Sequence, residues 1–355
     1  MSRADVLVVG AGPVGLTAAL ALVRGGVSVD LVEACPATSG ESLAATFHPP
    51  TLQILADLGI DLRGRGLEAG TIGYRDDRGR VVARLDLAEL ADLTAHPYRR
   101  HIPQLQVCRL ILERLREFPH CRVTFGQAAT YETTRGYRWV FAADGSGSAL
   151  RAAAGLGFDG EDYAGTVVRL ICDPDGFDGW DPVTYVLAQD ASVSVLRMAD
   201  HIRVIIRIAE DAEGLVDPLA DAIATATRVT GIEPSVRDWS PYRSQRRVIT
   251  DNLVDNLVFV GDSAHVTTTR GGMNMNAGIH DAAVIATALL RDPGSVAEAA
   301  RRRLAVARDM LLPRTHETLE DPSARLRRIL DIADHAPDRR EFLRRAAMLD
   351  MVCWP

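Results

Sequence analysis

Hydrophobic positions along this chain follow two rhythms. Between Asp5 and Gly10 the run VLVV is short, continuous and β-branched, the pattern of a parallel strand buried on both faces. LTAALALVRGG then has helical spacing and stops at Gly25-Gly26, where glycine ends a helix. Val27–Val32 predicts a second strand. The pair Pro49-Pro50 bars helix at His48 and sets a turn before the helical run TLQILADLGI. Gln104–Leu115 (QLQVCRLILERL) is an amphipathic helix, and residues 121–126 and 137–143 are two further strands. Strands alternating with helices predict an α/β core.

A different pattern interrupts this core. Residues 70–90 read as a hairpin turning near Asp77–Gly79. From Thr166 to Ile208 the runs TVVRLICD, VTYVLAQ, ASVSVLRM and HIRVIIRIA follow one another across Asp, Gly and Pro, which predicts a mixed sheet. Residues 213–229 are helical, and 234–250 lead back to an apolar strand at Leu257–Val260. After the loop at Gly271-Gly272 the chain becomes helical from Ala277 as AGIHDAAVIATALL. Beyond Leu290 it is arginine-rich helix with charges alternating in sign, read as a solvated face or oligomer contact. The predicted fold class is α/β: a Rossmann-like domain interleaved with a mixed β-sheet domain and a C-terminal helical segment. The boundaries are 1–72, 103–165 and 246–292 for the first, 73–102 and 166–245 for the second, and 293–355 for the helices.

Composition narrows the chemistry. All 40 basic residues among the 355 are Arg, which rules out lysine nucleophiles, Schiff bases and a Walker lysine. The net charge of -7 argues against nucleic acid as a partner. Five cysteines, odd in number and never in CxxC, predict reduced thiols in a cytoplasmic protein with no disulfide frame and no metal site. No apolar run reaches membrane-spanning length, and the N-terminus enters a strand without a basic signal region.

Three stretches carry candidate chemistry. The first is Gly10-Ala11-Gly12-Pro13-Val14-Gly15, a GxGxxG between strand and helix. Gly10 suits the tight turn, Gly12 the backbone approach to a pyrophosphate, Gly15 close helix packing, and Pro13 the first helical turn. Glu33, followed by Ala34, falls 18 residues past Gly15, where a carboxylate accepts both ribose hydroxyls and disfavours a 2′-phosphate. That selects FAD or NAD over NADP. The second stretch, Ala143–Arg151, joins an Asp-Gly turn to a serine and an arginine at helical offsets and is a phosphate cradle or a loop cap. The third, Leu257–Ala282, is strand, glycine loop and helix start, where free amides point at a ligand. His48 is a substrate-facing or a plain loop histidine. Arg197 and Arg203 flank the turn at Ala199–His201 and are candidates for an acidic substrate group, with water-facing edge arginines as the alternative; Tyr185 is a third substrate candidate.

Together, GxGxxG with Glu33, DGxxSxxR at 144–151, and Gly261-Asp262 with its glycine loop resemble the single-component (class A) flavin-dependent aromatic hydroxylases of the para-hydroxybenzoate hydroxylase type. The resemblance spans nearly the whole chain. It implies that Gly10, Gly12, Gly15 and Glu33 hold the ADP half of FAD, with Pro13, Val14 and Ala34 beside them. It implies that Asp144 and Arg151 serve both the FAD pyrophosphate and NAD(P)H. Asp262 would bind the ribityl chain; Gly271, Gly272, Met273, Asn274, Met275 and Asn276 would line the isoalloxazine. Gln104 leads a helix near the flavin, and Arg109 follows on it. The implied reaction uses NADH or NADPH and O2 to hydroxylate a phenolic or polyketide-like small molecule through a flavin C4a-hydroperoxide. His48, and less so His101, are the base candidates. The expected assembly is a monomer or homodimer.

The chain departs from this pattern in places. Thr268 and Thr269 stand where the family carries proline, Asn274 where it carries glycine, and Leu43 where it carries arginine. These positions shape the oxygen pocket, so Thr269 and Asn274 join the catalytic candidates. Two alternatives stay open: an FAD oxidoreductase that inserts no oxygen, and a non-catalytic FAD-binding homologue. Halogenation is disfavoured because the chain has no lysine.

Overall fold

The computed structural model describes residues 4–38, 44–188, 191–208, 217–317 and 322–352. Leu43 lies outside them, as does the start of the helix expected over 213–229, which is described as Pro218–Thr230. The first sheet has six strands in the order Leu253–Val254, Leu257–Phe259, Trp139–Ala142, Val6–Val9, Val29–Glu33 and Cys121–Phe125. All but the first pair run parallel. Val6–Val9 is buried throughout because helices cover both faces of a parallel sheet. Its second neighbour is Val29–Glu33 rather than 27–32, so Glu33 is the last strand residue, at the carboxyl edge.

The helices Pro13–Arg24 and Asn274–Arg291 pack closely within the main core, with Gln104–Leu115 against the first of them. A Cβ at Gly278 would stand 2.8 Å from Gly261 Cα and 2.8 Å from Val14 Cγ2, so only glycine lets the last of these helices approach the Gly261 turn. That helix starts at Asn274, three residues before the run from Ala277, because Asn274 and Asn276 break the apolar spacing while Met275 between them is already buried.

The second sheet has seven strands in the order Val236–Tyr242, Thr166–Cys172, Ile202–Ile208, Ser192–Arg197, Val183–Leu187, Thr71–Asp76 and Val81–Asp86. The hairpin therefore joins the later meander, through a parallel pairing of Thr71–Asp76 with Val183–Leu187. Pro218–Thr230 packs Ala222, Ala226 and Val229 onto one face of this sheet, against Val168, Val204 and Ile206. A small sheet, Thr46–Phe47 with Arg99–His101 and Leu67–Ala69, bridges towards the core. Another joins Asp159–Asp162, Gln245–Val248 and His265–Val266.

At the C-terminal end, Val296–Val306 continues through a π-helical stretch, Ala307–Leu311, into Leu312–Glu317. Pro322–Asp334 and Ala336–Ala346 follow and set Ile329 and Leu343, with Ala347 just past the second helix, against Ile72, Leu85 and Leu90 of the hairpin region. The arginines of this region, expected on a solvated face or an oligomer contact, include two that are buried within the chain: Arg303 and Arg314, each held by a carboxylate. Among the described residues, no helix is long and apolar enough to cross a membrane, and no group of His, Cys, Asp or Glu could hold a metal ion.

Candidate functional site

Because Val9 is aligned with Val32 and with Ala142, and Ala142 with Phe259, the loops after these strands emerge side by side at one sheet edge. Ligands of open α/β sheets bind at such an edge. Gly10 has a φ of 105° and a Cβ there would sit 2.3 Å from Ala143 O; a Cβ at Gly15 would sit 2.0 Å from Gly10 O. Both glycines are required by the fold itself. Gly12 differs, because a Cβ there meets nothing within 4 Å. Its backbone faces open space at the N-terminus of Pro13–Arg24, where amide N–H groups lack helical partners and the helix dipole favours an anion. Glu33 is preset beside it: Oε2 accepts from Ala11 N–H at 2.7 Å and Oε1 from Cys35 N–H at 2.9 Å. Each carboxylate oxygen keeps a second lone pair for a hydroxyl. Ala34 is exposed at this edge, as is Arg109 on its helix, while the Gln104 N–H donates to Ala44 O.

Asp144 and Arg151 are engaged with protein. Asp144 accepts from Ser148 Oγ at 2.6 Å and from the Leu150 N–H at 3.2 Å, capping the short helix. Arg151 donates to Ser146 O at 2.6 Å and Ser263 O at 3.1 Å, with its guanidinium 3.8 Å from the Phe158 ring centroid. The motif thus ties the Asp-Gly turn to the loop after Phe259. Ser263 Oγ completes the tie by donating to Ala142 O at 2.6 Å.

The loop from Gly261 to Asn276 is held from several sides. Gly261, Gly271 and Gly272 have φ of 63°, 74° and 64°, conformations that favour glycine. Asn274 Nδ2 donates to Asp262 Oδ1 at 2.9 Å, while Asn274 Oδ1 is buried without a hydrogen-bond partner. Burial raises the Asp262 carboxyl pKa above its usual range. Asn276 Nδ2 donates to Thr46 O and Gly272 O, and its Oδ1 accepts from the His48 N–H. Met273 and Met275 are buried against the core. Thr269 is exposed and pairs with Tyr242 at 2.8 Å, oxygen to oxygen. Thr267 and Thr268 instead bond Thr315 of the C-terminal helices.

Both candidate histidines are fully buried. His48 Nε2 lies 2.8 Å from Gly271 O, and His101 Nδ1 lies 2.7 Å from Arg197 O. A carbonyl only accepts, so those nitrogens carry the proton and His48 Nδ1 and His101 Nε2 are bare lone pairs. Neither bare nitrogen has a hydrogen-bond partner. Burial, with the nearby Arg99 guanidinium, pushes the His48 pKa well below normal; burial pushes that of His101 down to about 4. Both rings are neutral at pH 7.

A cavity opens between this loop and the seven-stranded sheet. Gly271 and Met273 line one side, Tyr74 and Tyr185 the sheet side, and Phe342 and Ile329 the helical side. Tyr74 and Tyr185 pack with ring centroids 5.6 Å apart. Arg197 and Arg203 are not among its lining residues. Arg197 donates to Phe177 O at 2.6 Å, and buried Arg203 lies beside His201. Sequence reasoning passed over the cavity arginines, which come from five separate segments. It also passed over a buried cluster behind the loop. There Asp281 pairs with His265 and Arg303, its Oδ2 accepts weakly from the Gly261 N–H at 3.4 Å, and His280 meets Thr51. These residues sit in helical or strand text that gives no sign of which face is buried.

A parallel sheet with a glycine turn, an edge carboxylate and a phosphate-ready helix start defines a dinucleotide-binding protein. The chain belongs to the FAD binding domain family, whose model matches residues 3–310. It is 29% identical over 313 residues to para-nitrophenol 4-monooxygenase of Pseudomonas sp. strain WBC-3, covering 80% of this chain and 77% of that one. It is 27% identical over 357 residues to 6-hydroxy-3-succinoylpyridine 3-monooxygenase of Pseudomonas putida, covering 89% and 88%. Its fold is that of p-nitrophenol 4-monooxygenase from Pseudomonas putida DLL-E4, with a TM-score of 0.87, 24% identity and 98% of each chain covered.

Proposed function

We propose that this protein is an FAD-dependent monooxygenase that draws electrons from NADH or NADPH and hydroxylates a phenolic aromatic small molecule. The observation that carries the reading is the meeting of two features at one sheet edge: the open Gly12 cradle with Glu33, and the glycine loop from Asp262 to Asn276 beneath an aromatic-walled cavity. The residues present fit the cofactor. Gly12 leaves room for a pyrophosphate, Glu33 has lone pairs for a ribose, and the unpartnered acceptor Asn274 Oδ1 and the desolvated Asp262 carboxyl would suit the hydroxyls of a polyhydroxy chain.

Bound FAD supplies the redox and oxygen-activating chemistry. The chain supplies placement. Amides at the start of Pro13–Arg24 would hold the phosphates, and Asp262, fixed by Asn274, the ribityl hydroxyls. The Gly271 to Asn276 backbone would flank the ring system, with Tyr74 and Tyr185 orienting the substrate above it. Pro322–Asp334 and Ala336–Ala346 supply one wall of the cavity, through Ile329 and Phe342 among others. We assign His48 a positioning role, since its Nε2–H is committed to Gly271 O. His101 is likewise given a positioning role: its Nδ1–H is committed to Arg197 O, burial lowers its basicity, and it is not among the cavity-lining residues.

The test is turnover under 18O2 by purified protein reconstituted with FAD, using a panel of phenols with NADH and with NADPH. The expected result is a yellow protein, phenol-stimulated NAD(P)H oxidation and one labelled oxygen in the product. Oxidised or reduced product without label would overturn the reading in favour of a non-oxygenating flavoenzyme. Among the named relatives above, both sequence matches are monooxygenases, which supports the reading over that alternative.

A further inference from the structure

Five of the chain's seven methionines fall on the glycine loop or in the C-terminal region: Met273, Met275, Met310, Met348 and Met351. Four of these meet. Met273, Met348 and Met351 are buried in one apolar cluster with Leu311, and Met310 packs on its edge. Met275 belongs to the main core instead. Met273 also lines the cavity, beside Gly271, so this buried side chain borders the place where a substrate would sit. Its sulfur lies against the loop backbone: a Cβ at Gly271 would stand 3.7 Å from Met273 Sδ and 3.2 Å from Cε. Gly271 O is the atom that holds His48 Nε2–H, and Met351 O is the one that holds Arg303.

A thioether fills irregular apolar contacts well, but it is open to oxidation. Hydrogen peroxide gives one oxygen to Sδ: the S–O bond forms as the O–O bond breaks, the sulfur loses two electrons, and the other peroxide oxygen leaves as water. The sulfoxide is polar, and burying its oxygen among methionines without a donor is costly, so the loop must shift to accommodate it. Met198 provides the contrast. It is 3% exposed against 5% for Met273, yet it belongs neither to the cavity lining nor to this cluster. Bulk solvent reaches the two side chains about equally, so a source of peroxide inside the cavity is what would separate them.

We infer that Met273 is an oxidation site for hydrogen peroxide released in the cavity, and that its sulfoxide loosens the glycine loop and lets FAD go. The supply of peroxide rests on the proposed function; the target does not. When no phenol takes the oxygen, NAD(P)H gives O2 two electrons and a proton, solvent gives a second proton, and hydrogen peroxide leaves. A leaking molecule thereby loses its cofactor and stops making peroxide, and reduction of the sulfoxide restores it.

The test uses the FAD-loaded protein, with sulfoxide mapped by peptide mass and FAD release read from flavin fluorescence. In one arm NAD(P)H and O2 are supplied without phenol and with catalase, which removes peroxide that escapes into solution. Met273 should gain oxygen about tenfold or more faster than Met198, with FAD released in step. In the other arm hydrogen peroxide is added without NAD(P)H. FAD release should again track the Met273 sulfoxide, methionine sulfoxide reductase should reverse it, and Met273→Leu should keep its FAD at the same dose. Met273→Gln, which places a polar group there without any oxidant, should weaken FAD binding about tenfold. Met198 oxidised as fast as Met273 with NAD(P)H, FAD lost equally from Met273→Leu, or a loss the reductase does not reverse overturns the inference. Met273-dependent FAD loss with added peroxide, but no methionine oxidised on NAD(P)H, leaves Met273 as the sensitive site and sinks the proposed chemistry. Labelled product in the phenol test, with Met273 untouched in both arms, does the reverse.

Discussion

Arg303 Nε lies 2.7 Å from Asp281 Oδ1 in a pair that solvent scarcely reaches. The same aspartate meets His265 Nε2 at 2.7 Å, and Arg303 donates onward to Met351 O at 2.6 Å. One carboxylate therefore joins the Gly261 loop, the Asn274–Arg291 helix and the C-terminal end of the chain. Removing one partner from a buried pair strands the other, which typically costs about 3–5 kcal/mol. Arg303→Ala should destabilise by that amount in denaturant unfolding. Arg303→Met combined with Asp281→Leu should cost clearly less than the sum of the single changes, because neither charge is left alone. Additive costs would mean the two side chains do not act as a pair.

Acid should loosen the fold earlier than surface carboxylates alone would. His101 and His280 have folded pKa values lowered to about 4 and about 3, and Asp281 one lowered to about 2, His280 and His101 chiefly by burial and Asp281 by the charges of Arg303 and His265 against an opposing burial. Each value is depressed relative to the unfolded chain, so each contributes stability above its unfolded pKa and loses it as pH falls. The histidine share declines from about pH 6.5 downwards and the aspartate share from about pH 4, each at up to about 1.4 kcal/mol per pH unit. Melting temperature measured from about pH 8 to about pH 5 should fall below about pH 6.5. His101→Asn should flatten that fall; an unchanged slope would remove His101 from the account.

The glycines separate folding from cofactor binding. Gly12→Val adds a side chain into space that the protein leaves open, whereas Gly15→Ala drives a methyl to within 2.0 Å of Gly10 O. Gly12→Val should keep the unfolding profile of the apoprotein and lose FAD, seen as unquenched flavin fluorescence. Gly15→Ala should lower apoprotein stability before any flavin is added, since the backbone must shift to admit it. Equal loss of stability in both would show that Gly12 serves packing.

How much of this was legible in the chain depends on how local each signal is. VLVV before Gly10, the helical run that follows and Glu33 are set by contiguous residues, and they recur in the structure with Glu33 inside its strand. The hairpin at 71–86 was readable as a hairpin, but its parallel pairing with Val183–Leu187 joins segments about a hundred residues apart and leaves no local trace. Arg99–His101 forms a buried strand of polar residues, a tertiary placement that runs against hydrophobic periodicity. Arg303 lies in a run of three arginines, and nothing in that run marks the middle of the helix's buried face. The site was legible where a motif is contiguous and illegible where arginines from distant segments converge.

Tyr242 and Thr269 offer the sharpest test of how the altered loop works. Their hydroxyl oxygens are 2.8 Å apart, and the pair ties the outer strand of the seven-stranded sheet to the Thr268–Thr269 segment, where the resembled hydroxylases would carry proline. Proline would restrict this backbone by its ring; here a hydrogen bond worth about 1 kcal/mol is in a position to do so. On the proposed function, loosening the loop admits water near the reacting oxygen and diverts electrons from NAD(P)H into free hydrogen peroxide. Tyr242→Phe and Thr269→Val should each raise the peroxide formed per NAD(P)H oxidised and lower product by the same amount, with FAD affinity unchanged. Because both changes delete one bond, the double variant should leak no more than either single one. Thr269→Pro should restore coupling in the Tyr242→Phe background, since the φ of -73° at Thr269 already suits proline. Leakage that adds in the double variant, or a proline that fails to rescue, would place control of coupling elsewhere in the loop, with Asn274 and its hold on Asp262 the next residue to change.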